Sequence, residues 1–229
     1  MRRALTATVM CAAIVLAGCS AEEEGQAGPA SSASDTASST AAAPSGNSTD
    51  SSSSTADSGN TTDAGGTTTI SALPVPLSVT VPEGWSSVDP AQLGVENAAW
   101  AGLQDASRAE AFATNILVEG LVVDGSTTLT ALADQQFRSV GGTNVKLSKR
   151  EEGGSGRAKS LTQVIRSTQT VNGRQLDIAV IQVLFGFRDV DGSGRTAVDL
   201  ATFSTTADKM STLGPDFQQF IASVRPQLG

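Results

Sequence analysis

The chain has 229 residues, 39% hydrophobic and only 4% aromatic, with 23 acidic and 15 basic side chains for a net charge of −8. That length suits one medium domain plus an unstructured segment better than two full domains. There is no His or Tyr, and the two Cys, Cys11 and Cys19, both lie near the start. This excludes Ser-His-Asp and Cys-His catalysis, structural zinc, haem and disulfides from the mature domain, so no cofactor or metal is implied.

Arg2 and Arg3 form a basic n-region before the apolar stretch Ala4 to Ala17. A stretch of this length matches the h-region of a signal peptide and falls short of the about 20 apolar residues a spanning helix needs. It ends in Leu16-Ala17-Gly18-Cys19, followed by the acidic triplet Glu22, Glu23, Glu24. That string resembles the lipobox of bacterial lipoproteins. The resemblance implies cleavage after residue 18 and a diacylglyceryl group on the Cys19 thiol. It places the protein on the extracytoplasmic face of the cell membrane, with the membrane itself as its first partner. Each buried methylene contributes about 0.8 kcal/mol, so two or more chains make a stable anchor where one is marginal.

From Cys19 to residue 69 the chain is Ser, Thr, Ala, Gly and Asp, with seven acids, no Lys or Arg and almost no large apolar side chain. Such a segment cannot bury a core and is expected to be a disordered tether reaching roughly 40 Å. Its Ser/Thr tracts with Pro29 and Pro44 also resemble O-glycosylated stalks. Setting aside Arg2, Arg3 and the seven tether acids leaves 16 acids against 13 bases from Ile70 onward. A nearly balanced, exported domain offers no positive field for phosphate backbones, which argues against a nucleic-acid partner.

The folded domain is expected over residues 70–229. Leu77-Ser78-Val79-Thr80-Val81 alternates apolar and polar residues at the period of a half-buried strand. Pro82-Glu83-Gly84 turns the chain, and Trp85 is expected to fold back on the same sheet. Ala111 to Val118 reads as a strand. Between Ser126 and Gly141 the period becomes helical, with Leu129, Leu132, Ala133, Phe137 and Val140 on one face. Ser126 or Thr127 can cap the helix, and Gly141-Gly142 supplies its stop. Asn144 to Leu147 reads as a further strand.

Asn172-Gly173 separates two long strand-like runs and favours a type I′ hairpin turn. The register then pairs Val164 with Ile181, Ile165 with Val180, Leu161 with Leu184 and Gln163 with Gln182. Both faces of this hairpin carry apolar residues, so layers must pack above and below it. Thr196 to Ser204 reads as a strand, and Phe217, Phe220, Ile221 and Val224 mark a closing helix starting at Pro215 or Asp216. The fold class is α+β, a twisted antiparallel β-sheet covered by helices.

Three stretches carry a family resemblance: Val79-Thr80-Val81-Pro82-Glu83-Gly84-Trp85, the Ala113-Thr114-Asn115-Ile116 strand before a long helix, and the ending Phe220-Ile221-Ala222-Ser223-Val224-Arg225. Together with the lipobox and tether, they look like the LpqN/LpqT lipoproteins of mycobacteria and related actinobacteria. The likeness spans about Leu77 to Pro226. It implies an α/β/α sandwich of the PsbP/Mog1 type. It also implies a non-catalytic accessory or binding module in cell-envelope biogenesis, whose expected partner is an envelope lipid, glycan or membrane protein, and supplies no catalytic residues.

Candidate site residues each have a plainer alternative. Asp189-Val190-Asp191-Gly192-Ser193-Gly194 imitates half of a calcium loop, but Leu200 stands where the bidentate Glu belongs, so a glycine-rich turn is the better reading. Lys149, Arg150, Arg157 and Lys159 gather about a glycine-rich tip, either as a partner-docking or anionic-lipid loop or as a solvated connection. Trp85 and Trp100 can line an apolar or sugar-stacking pocket or simply fill the core. Glu119 and Asp124 are the candidate pair for a carboxylate-based envelope hydrolase of glycosidase type, the alternative function, because that mechanism needs no His.

Overall fold

A computed structural model of the chain describes residues 65–188 and 192–227. Cys19, the expected signal peptide and nearly all of the expected tether lie outside the described residues, as do Asp189, Val190 and Asp191 of the calcium-loop-like segment. The element order is β1 (Thr67–Ile70), β2 (Leu77–Thr80), β3 (Trp85–Val88), β4 (Ala98–Gln104), β5 (Asn115–Val123), α1 (Leu129–Ser139), β6 (Thr143–Ser155), β7 (Ala158–Val171), β8 (Arg174–Arg188), β9 (Thr196–Thr206), α2 (Met210–Ser223) and β10 (Arg225–Pro226). Seven strands form one antiparallel sheet in the order β3-β4-β5-β9-β8-β7-β6, and β1-β2-β10 form a second. This is the α+β fold read from the sequence.

The β7–β8 hairpin is the longest pairing, and its register is the one the Asn172-Gly173 turn dictates. Val171 faces Arg174, Gln163 faces Gln182 and Leu161 faces Leu184. Asn172 and Gly173 both take positive φ (50° and 74°), as a type I′ turn requires. Because side chains alternate along a strand, this register assigns each residue to a face. Leu161, Ile165, Ile178 and Leu184 point to one side, where α1 packs through Ala133, Leu129 and Leu132 or through Phe137. Ile181, Val183 and Phe187 point to the other, where Phe217 and Phe220 of α2 join Leu77 and Val79 of β2. Strand β8 is therefore covered on both sides. On β7 only the α1 side is fully buried: Thr162, Val164 and Arg166 on its other side are half-buried.

Helix α1 begins two or three residues later than its first candidate caps. Asp124 instead accepts the backbone N–H and the hydroxyl of Ser126, forming a turn, and Thr128 caps the helix by accepting the Ala131 N–H. Helix α2 begins at Met210, before Pro215 rather than at it, so Pro215 sits in the second turn. There its missing N–H removes one intrahelical bond.

Other expectations change for physical reasons. Trp85 does not return to the sheet of Leu77–Thr80: Gly84, at φ 76°, redirects the chain so that β3 starts the large sheet while β2 stays in the small one. The Ala111–Val118 strand moves to Asn115–Val123, because the Gln104 N–H donates to the Thr114 carbonyl and the preceding loop closes where the Thr114 N–H donates to the Ser107 hydroxyl. The segment from Lys149 to Lys159 is not a loop; all but its 156–157 turn is paired in β6 and β7. As an edge strand, β6 carries Lys146, Lys149, Arg150, Glu151 and Glu152 and two register shifts, features that discourage pairing with another chain. Strand β1 starts at Thr67, ahead of the expected domain start at Ile70.

Between β1 and β2, Leu73 and Pro74 cross over β5 at Gly120, where a Cβ would lie 2.2 Å from Pro74 Cδ. Beside Gly120 in the ladder is Asp199 of β9. It is fully buried, and neither carboxylate oxygen makes a hydrogen bond of good geometry. Burial pushes its carboxyl up to about 7, with the nearby Val75 backbone N–H offsetting part of the rise.

Two predictions follow from this packing. Phe217, buried and stacked on Phe203 at 5.2 Å, joins α2 to the sheet. Phe217→Ala is expected to lower unfolding free energy by about 3 to 5 kcal/mol in a urea titration. Because the folded chain holds the Asp199 proton more tightly than the unfolded chain, the neutral carboxyl favours folding fully below pH 3.8, and that contribution fades as pH rises to about 7. Asp199→Asn is expected to remove this slope, up to about 1.4 kcal/mol per pH unit between those limits. Parallel wild-type and variant urea titrations from pH 4 to 8 check it, and an identical pH dependence would show that the carboxyl does not titrate there.

Candidate functional site

Where α1 begins, at the turn end of the β6–β7 hairpin, a cavity of about 240 Å³ opens on the α1 side of the large sheet. Its composition follows from the registers. Pairing puts Glu152 of β6 opposite Leu161 and Lys159 two residues from it, both on the α1 side. On β8 the same side carries Leu184, Gly186 and Arg188. Arg157, in the turn before β7, accepts the Arg188 backbone N–H at 2.9 Å, which brings the two arginines side by side. Gly186 has no side chain here, and a Cβ would come within 3.0 Å of Leu129 Cδ2; the glycine lets the first turn of α1 settle on the sheet. The wall on the helix side is Thr127, Thr128, Leu129 and Thr130 at the helix start.

The charge of this site is uneven. Arg157, Lys159 and Arg188 face one acid, Glu152, whose Oε1 accepts the Thr130 hydroxyl at 2.8 Å. Among the described residues no carboxylate pairs with any of the three cations. Arg188 spends one N–H on the Gly125 carbonyl, at 3.3 Å.

The four cations expected to form one loop therefore divide. Arg157 and Lys159 line the cavity. Lys149 lies on the opposite face of β6 and pairs with Glu151 at 2.8 Å. Arg150 points to the α1 side but is bound to Asp134 at 2.7 Å and to Gln163 at 2.8 Å, so it ties helix to sheet. Arg188 was not singled out from the sequence. The signal was present, since the Asn172-Gly173 register, extended to the hairpin's open end, sets residue 188 opposite 157.

Trp85 and Trp100 are core residues. Trp85 is 0% exposed and donates its Nε1–H to Asp216 at 3.0 Å. Trp100 is 4% exposed, stacks on Phe220 at 5.4 Å and donates to Ser87 at 3.1 Å. Neither borders the cavity. In an aromatic-poor chain the two indoles fill volume between the sheet and α2 instead of walling a pocket.

Glu119 and Asp124 are not brought together. Five residues apart on and beyond β5, they are separated by roughly 16 Å along the strand, against the about 5 to 9.5 Å a glycosidase pair requires. Their environments also differ: burial raises the Glu119 carboxyl, whereas the Ser126 hydroxyl and then its backbone N–H lower that of Asp124. Asp199 is a neighbour of Glu119 in the ladder but points to the α2 side, so the sheet stands between their carboxyls.

No family model and no curated protein matches the chain. Among solved structures, it is similar to LpqN, involved in cell envelope biogenesis of Mycobacterium tuberculosis, at 12% identity and a TM-score of 0.53. The match covers 70% of this chain and 90% of that one. The cyanobacterial PsbP of Synechocystis sp. PCC 6803 aligns at 18% identity and a TM-score of 0.42, over 66% of this chain and 86% of that one. At such identities the likeness is one of fold. The domain shares the LpqN fold expected from its sequence.

Proposed function

We propose that this chain is a membrane-anchored envelope lipoprotein whose folded domain is a non-catalytic binding or accessory module in cell-envelope biogenesis. Its partner is a lipid, a glycan or a membrane protein. The observation that carries this reading is the likeness to LpqN over 90% of that protein's length. The lipobox-like Leu16-Ala17-Gly18-Cys19 and the acidic, Ser/Thr-rich segment after it agree with it. Acyl chains on Cys19 hold the protein at the extracytoplasmic face of the membrane, and the segment from residue 20 to the start of β1 at Thr67 sets the domain off from the surface. The hydrolase alternative draws no support from Glu119 and Asp124, which lie too far apart to flank one bond.

Anchoring and binding are tested separately. Cys19→Ala is expected to shift the protein from the membrane fraction to the soluble extract, read by fractionation and immunoblot; a variant that still sediments with membranes refutes the anchor. For the domain, mass spectrometry of material co-purified with the detergent-extracted protein is expected to recover a lipid, glycan or membrane protein at near-stoichiometric level. Hydrolysis of envelope glycan by the purified chain would overturn the non-catalytic reading.

A further inference from the structure

The cavity at the start of α1 has three properties that together specify a ligand class. The first is its charge: three cations face one acid, and that acid already accepts a hydrogen bond. The second is its supply of neutral donors. Thr128 adds a hydroxyl, and with Ala131 bonded to the Thr128 cap, the N–H groups of Leu129 and Thr130 remain as first-turn donors. The third is size. At about 240 Å³ it falls below the roughly 300 to 1,000 Å³ of sites for drug-sized molecules, which suits a headgroup and not an acyl chain.

Helix α1 reinforces the sign. Its first turn contains no Asp or Glu, the residues that commonly offset the positive end of the helix dipole. Arginines here offer the planar, forked donors that match a tetrahedral oxyanion in two places at once, while Lys159 adds a point charge. The three cations meet at the open end of the β7–β8 pairing, held by the backbone bond between Arg188 and Arg157.

The geometry points to a phosphate-class anion, a phosphomonoester or phosphodiester group, held between Arg157, Lys159 and Arg188 at the start of α1. Two sources share this chemistry, a phospholipid headgroup and a soluble phosphate ester. The inference is independent of the lipid anchor, because it concerns residues of the folded domain alone.

The test uses the full-length Cys19→Ala chain, so that no acyl group of its own brings it to a bilayer. Inorganic phosphate and glycerol phosphate are titrated calorimetrically, and sedimentation is measured with phosphatidylglycerol vesicles and with phosphatidylcholine vesicles. Expected is saturable binding in at least one arm, weakened about tenfold or more by Arg157→Ala combined with Arg188→Ala. Lys149→Ala, which removes one positive charge from the opposite face of β6, is expected to leave it within about twofold. Loss confined to the vesicle arm assigns the headgroup, and loss in the soluble arms assigns the free ester. Circular dichroism on each variant separates loss of the site from loss of the fold. No saturable binding in any arm up to about 10 mM ligand, or equal weakening by Lys149→Ala and the double variant, overturns the proposal.

Discussion

The register of the β7–β8 hairpin is the constraint on which most of the structure depends. With a two-residue loop at Asn172-Gly173, every side chain from Ala158 to Phe187 is assigned to one face or the other. A slip by one residue would put Leu161, Ile165 and Leu184 on the side of α2 and leave Gln182 and Val183 exchanged between layers. Because both faces of β8 must be covered, the helices take opposite sides of the sheet, and the small sheet of β1, β2 and β10 completes the layer that α2 leaves open. The cavity at the start of α1 is a by-product of the same assignment, since Lys159 and Arg188 share the α1 side with the residues that seat the helix.

Two polar features are built into this apolar frame in different ways. Under α1, Gln163 and Gln182 are completely buried; the Gln163 amide donates to the Ala133 carbonyl and to Gln182, and its oxygen accepts from Arg150. Arg150 in turn reaches Asp134, so helix, central strands and edge strand are connected by one chain of charge-assisted and neutral bonds. Such a network fixes the rotation of α1, because apolar packing alone would accept neighbouring arrangements of similar volume. Asp199 is the contrary case. Its carboxyl is enclosed without a well-formed partner, so the structure favours its neutral form, and packing by the Leu73-Pro74 crossing keeps it dry.

How much of this was legible in the sequence depends on which interactions are local. The hairpin register, α1 and the β9 segment were readable because turn chemistry and side-chain period act over a few residues. Strand β4 was not, since Ala98-Ala99-Trp100-Ala101-Gly102 lacks alternation; it becomes a strand only because β3 and β5 supply its ladders. Strand β6 was read only at Asn144–Leu147; its continuation to Ser155 was hidden for the related reason that an edge strand keeps charged residues, which read as loop. The two tryptophans were ambiguous because composition cannot say which side of a sheet a residue faces. Cavity residues from separate strands were hardest: Lys159 and Arg157 attracted notice as a local cluster, whereas Arg188 required carrying the hairpin register to its far end.

The charges around that cavity are hard to account for as stabilisation of the fold. Two other cations of the β6 edge are neutralised at short range: Arg150 by Asp134 on this face, and Lys149 by Glu151 on the opposite one. At the start of α1 the pattern reverses, with three cations set about a helix end that is itself partly positive and with the nearest acid engaged by a threonine. Like charges in one concavity repel, and although their exposure lets water and salt screen much of the effect, no ion pair among the described residues returns a compensating attraction. An anion would reverse the sign of every one of these interactions at once. The arrangement is therefore coherent as a receptor for negative charge and unfavourable as packing, which distinguishes this end of the hairpin from the rest of the molecule.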